Sequence, residues 1–229
     1  MSIQIARLCN NVQELLSEYY GFENKICIDH FLLEPSQELG QSGRVLIEQD
    51  EKSNELFLGL QFGTGLHFQI ESQIESNENS NRISLHSLAV VAEETSHFRV
   101  IVDANEADKL VAIRDLEVLG EIDRFLVLLH WNHYFSGDLK LPVEWQNLHD
   151  VCDSVFTGNR FTQNTNPLYF EAETIALRYL KIIFKEQWNN TYFDFSKIYS
   201  NASQRALELR QSIFLPRFSS TESDLQRCG

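Results

Sequence analysis

A glutamate and a histidine stand three residues apart in a long apolar stretch of this sequence, at Glu94 and His97. On an α-helix this spacing places both side chains on one face. Carboxylate and imidazole groups presented in this way by facing helices are the ligands of dimetal sites in helix bundles. Glu117 and Glu121 in the next apolar stretch, and Glu171 later in the chain, are the residues expected to complete such a site. One hypothesis is therefore a divalent metal site for Fe, Mn or Zn.

The same residues have a purely structural interpretation. Helix-bundle metal sites of this kind contain two Glu-x-x-His pairs, and this sequence contains one. Buried charged groups are seldom left without partners. These residues therefore favour a buried polar network without metal, whose members neutralise one another: Glu94, His97, Glu117, Glu121 and Arg124.

Two long helical patterns must position these residues, and they run from Leu85 to His133 with a break near Asn105. At 100° per residue, each pattern places one set of apolar residues on a common face. The first set is Leu88, Val91, Ala92, Thr95, Phe98 and Val102, and the second is Leu119, Ile122, Phe125, Leu126 and Leu129. Other faces are also largely apolar, which is typical of central, buried helices.

Strands are predicted mainly between residues 25 and 74. A short strand is expected before Pro35, and a hairpin from Arg44–Gln49 and Glu55–Phe62. Leu66, Phe68 and Ile70 alternate with polar residues, which predicts a third strand after a turn at Gly63-Thr64-Gly65.

Helices are predicted at residues 3–20 and across 83–213. The first ends at Gly21, and a later one opens at Asn166-Pro167 and continues to Trp188. A last helix is marked by Ile198, Ala202, Ala206, Leu209 and Ile213. The expected fold is α+β, a small antiparallel β-meander packed against a mainly helical body with two long central helices. Residues 1–218 are expected to form one domain, with a flexible tail at 219–229.

Composition restricts the class of partner. The formal net charge is −14, which disfavours nucleic-acid phosphates and anionic membrane surfaces as partners. The N-terminus lacks a signal-peptide pattern, and no apolar stretch reaches the ~18 residues that span a bilayer. The four cysteines are scattered without a Cys-x-x-Cys pair, which favours reduced thiols. We expect a soluble cytoplasmic protein that binds neither nucleic acid nor membrane.

Other catalytic patterns have little support. Arg124 and His130 have the loose spacing of a pair used by some helical ribonucleases, but the five residues between them are apolar and the acidic charge would repel RNA. His130 and His133 are interpreted instead as surface or helix-end histidines. The sequence contains no Gly-x-Ser-x-Gly nucleophile elbow and no phosphate-binding loop.

Three short segments carry a resemblance to known sequences. Glu93-Glu94-Thr95-Ser96-His97-Phe98, followed by Leu116-Glu117 and Glu121-Ile122-Asp123-Arg124-Phe125, resembles a pattern shared by small uncharacterised bacterial proteins. It covers about 35 residues and implies a bacterial source but no activity.

The absence of a strong catalytic motif favours a protein-interaction or accessory module, with a protein partner or self-association expected. The alternative is a metal-binding protein or metal-dependent enzyme that uses Glu94, His97, Glu117 and Glu121, with no other cofactor predicted.

Overall fold

The computed structural model describes residues 3–23, 26–50, 55–75, 82–135, 139–143, 145–156, 166–185, 188 and 208. Within these residues the chain forms six α-helices, one short 3-10 helix (Ile28–Phe31) and one sheet of two strands. In chain order the elements are α1 (Ile3–Tyr20), β1 (Gly43–Asp50), β2 (Glu55–Phe62), α2 (Thr64–Glu75), α3 (Leu85–Glu106), α4 (Ile113–Tyr134), α5 (Leu148–Phe156) and α6 (Pro167–Ile183).

The two central helices are confirmed as α3 and α4, and they pack against each other. Ser84 caps the N-terminus of α3. Its hydroxyl accepts a hydrogen bond of 3.0 Å from the backbone N–H of Ser87, which would otherwise lack a partner within the helix. Every residue of the two predicted apolar faces is buried. Contacts between α3 and α1, and between α4 and α6, complete the cover around this pair.

The predicted hairpin is also confirmed, as the antiparallel pair β1 and β2, with Gly43 opposite Phe62 and Asp50 opposite Glu55. Leu60 and Phe62 point into the core, so the sheet packs on the helical body near α3. On the other side of β2, the backbone N–H groups of Leu33 and Ser36 donate to the carbonyls of Leu60 and Phe62. The fold is therefore α+β, as expected.

The predicted third strand is wrong, because Leu66–Ile70 belongs to the helix α2. Leu66 and Ile70 are buried, and Ile74 packs against the same core, which is an i, i+4, i+8 pattern. Phe68, which a strand would have placed beside them, is 74% exposed. Residues 66 and 70 lie on the same face in a strand and also in a helix. The sequence pattern of these five residues therefore fits both, and the position of the core decides which one forms.

Three smaller predictions need correction. The short strand before Pro35 is absent, since Ile28–Phe31 forms a 3-10 helix and only single bridges follow, at Leu32 and Ser36. The helix that opens at Pro167 ends at Ile183 rather than at Trp188. The predicted turn at Gly63-Thr64-Gly65 is wrong, because Thr64 and Gly65 are already the first residues of α2, and Gly63 forms a bridge with Ser36. The predicted last helix lies outside the described residues except for Glu208, and so does the predicted tail.

None of the helices in the described ranges has the combination of length and apolarity that crossing a bilayer requires.

Candidate functional site

Helix α3 carries three ionisable residues toward α4, within its otherwise apolar length. His97 lies three residues after Glu94 and four after Glu93, so all three project from adjoining parts of one face. Glu93 and His97 are buried, and the side chain of Glu94 is 14% exposed. The third and fourth turns of α3 therefore present two carboxylates and one imidazole.

Helix α4 presents the facing groups Glu117, Glu121 and Arg124, and all three are buried. The Arg124 guanidinium donates to Glu121 Oε2 at 2.5 Å and to the carbonyl of Val155 at 2.9 Å. Its Nη1 atom lies 3.5 Å from Glu93 Oε2 on α3. Arg124 thus joins α3, α4 and the end of α5. We refer to the six residues as the α3–α4 cluster: Glu93, Glu94, His97, Glu117, Glu121 and Arg124.

His97 lies between two carboxylates of the α3–α4 cluster. Its Nδ1 atom is 3.6 Å from Glu94 Oε2, and its Nε2 atom is 3.7 Å from Glu117 Oε2. Both are charge contacts that are too long to be hydrogen bonds. The side chain is only 9% exposed, and within the described residues Nε2 has no hydrogen-bond partner. The imidazole therefore aims a buried nitrogen at a carboxylate without bonding to it.

Two glycines allow this close packing. A Cβ atom at Gly120 would overlap Nε2 of His97, so only glycine leaves room for the ring against α4. A Cβ atom at Gly43, the first residue of β1, would lie 2.7 Å from Cγ of Glu94. The α3–α4 cluster is thus bounded by the backbone of α4 on one side and by the start of β1 on another.

The electrostatic potential in the α3–α4 cluster is negative. Burial lowers the pKa of His97, but the carboxylates of Glu94, Glu117 and Glu93 outweigh burial and raise this pKa to about 9. Burial raises the pKa of the Tyr169 phenol on α6, and the carboxylates of Glu117, Glu93 and Glu94 raise it further. In the absence of another cation, His97 is protonated at neutral pH.

A second buried polar group fixes α3 and α4 next to the α3–α4 cluster. The fully buried carboxylate of Asp123 accepts a hydrogen bond from Ser96 Oγ at 2.6 Å and another from the hydroxyl of Tyr20 on α1. Ser96 precedes His97 and Asp123 precedes Arg124. These bonds therefore set the register that brings the α3 and α4 members of the cluster together.

The structure brings four predicted ligand residues, Glu94, His97, Glu117 and Glu121, into one cluster with Arg124. Glu171 is elsewhere: its side chain is 54% exposed and lies 3.6 Å from Arg114. The prediction of a surface position for His130 is wrong, because this histidine is buried beside the ring of Tyr19, with centroids 5.5 Å apart. Since Arg124 and His130 are both buried, they do not form an exposed pair for RNA.

Glu93 and Tyr169 were not among the predicted site residues. Glu93 could have been predicted, because it stands four residues before His97 and so lies on the same face of the helix. Tyr169 carried no signal, since an aromatic residue in the first turn of an amphipathic helix usually packs in a core. Its approach to the α3–α4 cluster depends on where α6 docks.

The α3–α4 cluster can be compared with the needs of a metal ion. In the part of the chain that the structure describes, no three His, Cys, Asp or Glu side chains already converge as preformed ligands. However, Nε2 of His97 and Oε2 of Glu117 are 3.7 Å apart, and two metal–ligand bonds of about 2.1 Å span up to about 4.2 Å. The separation of these two atoms therefore suits ligation of one cation by both.

No protein-family model, curated protein or solved structure gives a significant match to this chain.

Proposed function

We propose that the protein binds a divalent transition metal ion in the α3–α4 cluster, with His97 and Glu117 as the first ligands. The observation that carries this proposal is the buried Nε2 atom of His97, which has no hydrogen bond within the described residues and faces Glu117 at 3.7 Å. Neutral imidazole and carboxylate together suit Zn²⁺, Fe²⁺ and Mn²⁺.

The electrostatics of the site support the same proposal. The carboxylates of Glu94, Glu117 and Glu93 raise the pKa of His97, and the same carboxylates add to the effect of burial in raising the pKa of Tyr169. In the metal-free state the proton on His97 supplies a positive charge. A metal ion replaces this proton, because a histidine ligand must be neutral. Glu94 Oε2 lies 3.6 Å from Nδ1 on the other side of the imidazole, where a small movement lets it accept the N–H bond that outer-shell carboxylates accept at metal sites.

Calorimetric titration of the full chain with Zn²⁺ and Mn²⁺ tests this proposal. Glu117→Gln keeps the size of the side chain, and we expect it to weaken metal binding at least about 100-fold, since loss of an outer-shell partner alone costs about 10- to 100-fold. Glu171→Gln is the matched control and should bind as the wild type does, because Glu171 lies at the surface beside Arg114.

His97→Ala supplies the second comparison, with the exposed His133→Ala as its control. Circular dichroism must show that each variant is folded. The proposal is wrong if the wild type binds neither ion, or if the folded Glu117→Gln and His97→Ala variants bind as tightly as their controls.

We also propose, as a second function, the protein-interaction role expected from the sequence. The observation that favours it is the outer half of the β-hairpin, where apolar side chains are exposed on both faces of the sheet. Ile47 lies on the face that leads into the core, and Leu46 and Phe57 lie on the opposite face. Exposed apolar patches of this kind mark contact surfaces. The measurement of self-association in the next subsection, with its hairpin variants, tests this role.

A further inference from the structure

Strand β1 is an edge strand in the described structure. It pairs only with β2, and the opposite side of β2 is covered by the segment containing Leu33 and Ser36. Residues 46–50 of β1 are exposed, with Leu46 at 37% and Ile47 at 55%. An exposed edge strand with apolar side chains is a template for pairing with another strand, and proteins usually blunt such edges with charged residues, above all lysine, with proline or with a bulge. Residues 43–50 contain no lysine or proline.

The sequence of β1 is complementary to itself in the antiparallel direction. If Leu46 lies opposite Leu46 of a second copy, then Val45 lies opposite Ile47, and Arg44 lies opposite Glu48. Each of these pairs shares one face of the sheet, as directly opposed residues do. The register thus matches apolar with apolar residues and a cation with an anion twice, about a two-fold axis through Leu46.

We propose that β1 pairs with β1 of a second copy of this chain, in that register, to form a four-stranded antiparallel sheet across a two-fold dimer. The occupant is a second copy rather than an unrelated strand because the charges at positions 44 and 48 complement each other only when this strand meets itself. Arg44 already bonds Gln61 on β2 through Nε and Nη2, and a guanidinium has further N–H donors for Glu48 of the second copy.

Sedimentation velocity over about 1 to 500 µM protein, in buffer of about 0.15 M salt, tests the proposal. This salt concentration screens the repulsion between two acidic chains beyond about 8 Å. The wild type should dimerise. Arg44→Glu and Glu48→Arg should each weaken dimerisation at least about tenfold, because each places like charges opposite one another twice. Glu18→Arg, an exposed reversal on α1, should leave dimerisation unchanged.

Mixing the two variants provides the decisive arm. A heterodimer of Arg44→Glu with Glu48→Arg restores two opposite-charge pairs, so the mixture should dimerise as the wild type does. Leu46→Lys, which places two ammonium groups on the axis, should be monomeric. A monomeric wild type overturns the proposal. A wild-type dimer that tolerates the reversals, or a mixture that does not recover, also overturns it, because the interface then lies on another surface or in another register.

Discussion

The imidazole of His97 has a carboxylate near each ring nitrogen and a pKa raised to about 9. The folded pKa is above the ordinary value of about 6.5. Its contribution to stability is therefore complete below about pH 6.5 and is lost as the pH rises through 9. The protonated ring acts as an internal counter-ion for the α3–α4 cluster.

Metal-free protein should consequently lose stability on the alkaline side. In buffer with EDTA, the wild type should lose on the order of 3 kcal/mol of unfolding free energy between pH 6.5 and 9, at about 1.4 kcal/mol per pKa unit. His97→Gln removes this titration and should show a flatter profile over the same window. Urea unfolding at a series of pH values measures both. Identical profiles for the two proteins would mean that His97 does not carry the raised pKa.

Gly120 is expected to be necessary for the position of His97. Gly120→Ala adds a methyl group where Nε2 of His97 lies, so the ring must rotate away from α4. Overpacking of this kind costs about 1 to 3 kcal/mol, and the metal affinity should fall with it. Thermal unfolding and metal titration check both effects. A variant that is more stable than the wild type and still binds metal would show that the ring does not depend on this close approach.

Helices α3 and α4 are held by polar as well as apolar contacts, and Arg124 is one polar link between them, beside the Ser96–Asp123 hydrogen bond. Arg124 contacts Glu93, Glu121 and the carbonyl of Val155. Arg124→Leu leaves two buried carboxylates without this cation, which should cost about 3 to 5 kcal/mol. Arg114→Leu is the control: its side chain is 44% exposed, so its loss should cost no more than about 1 kcal/mol. Chemical unfolding should separate the two, and equal losses would remove Arg124 as a link.

The long helices and the hairpin could be predicted because each has a periodicity that extends over many residues. Leu66–Ile70 could not, since its five residues fit both a strand and a helix, and only the position of the core places Phe68 outside. The pairing of His97 with Glu94 follows from helical spacing. The pairing of His97 with Glu117 depends on the register of two helices, which the buried Asp123 fixes through Ser96 and Tyr20. The periodicity of the sequence does not predict how one helix is aligned along the other.

Two buried histidines, His97 and His130, have opposite pKa shifts and so contribute oppositely to the pH dependence of stability. Burial, with a smaller effect of His133, lowers the pKa of His130 to about 3. The unfolded chain takes up this proton near pH 6.5 and the folded chain does not, so stability falls as the pH drops from 6.5 toward 3. Together with His97, this places the maximum of their joint contribution near pH 6.5.

His130→Gln should therefore lose less stability than the wild type between pH 6.5 and 4, as measured by urea unfolding in EDTA. The alkaline decline should be unchanged in this variant, because His97 is intact. An acid profile as steep as that of the wild type would show that other groups, and not His130, set the acid limit.

The central claim is that the α3–α4 cluster holds a metal ion, and the most direct measurement is elemental analysis of the protein purified without chelator or nickel affinity resin. We expect close to one equivalent of Zn, Fe or Mn per chain in the wild type and in Glu171→Gln, and a trace amount in Glu117→Gln. Trace metal in the wild type, together with no uptake on titration, would contradict the claim and leave the α3–α4 cluster as a structural network around protonated His97.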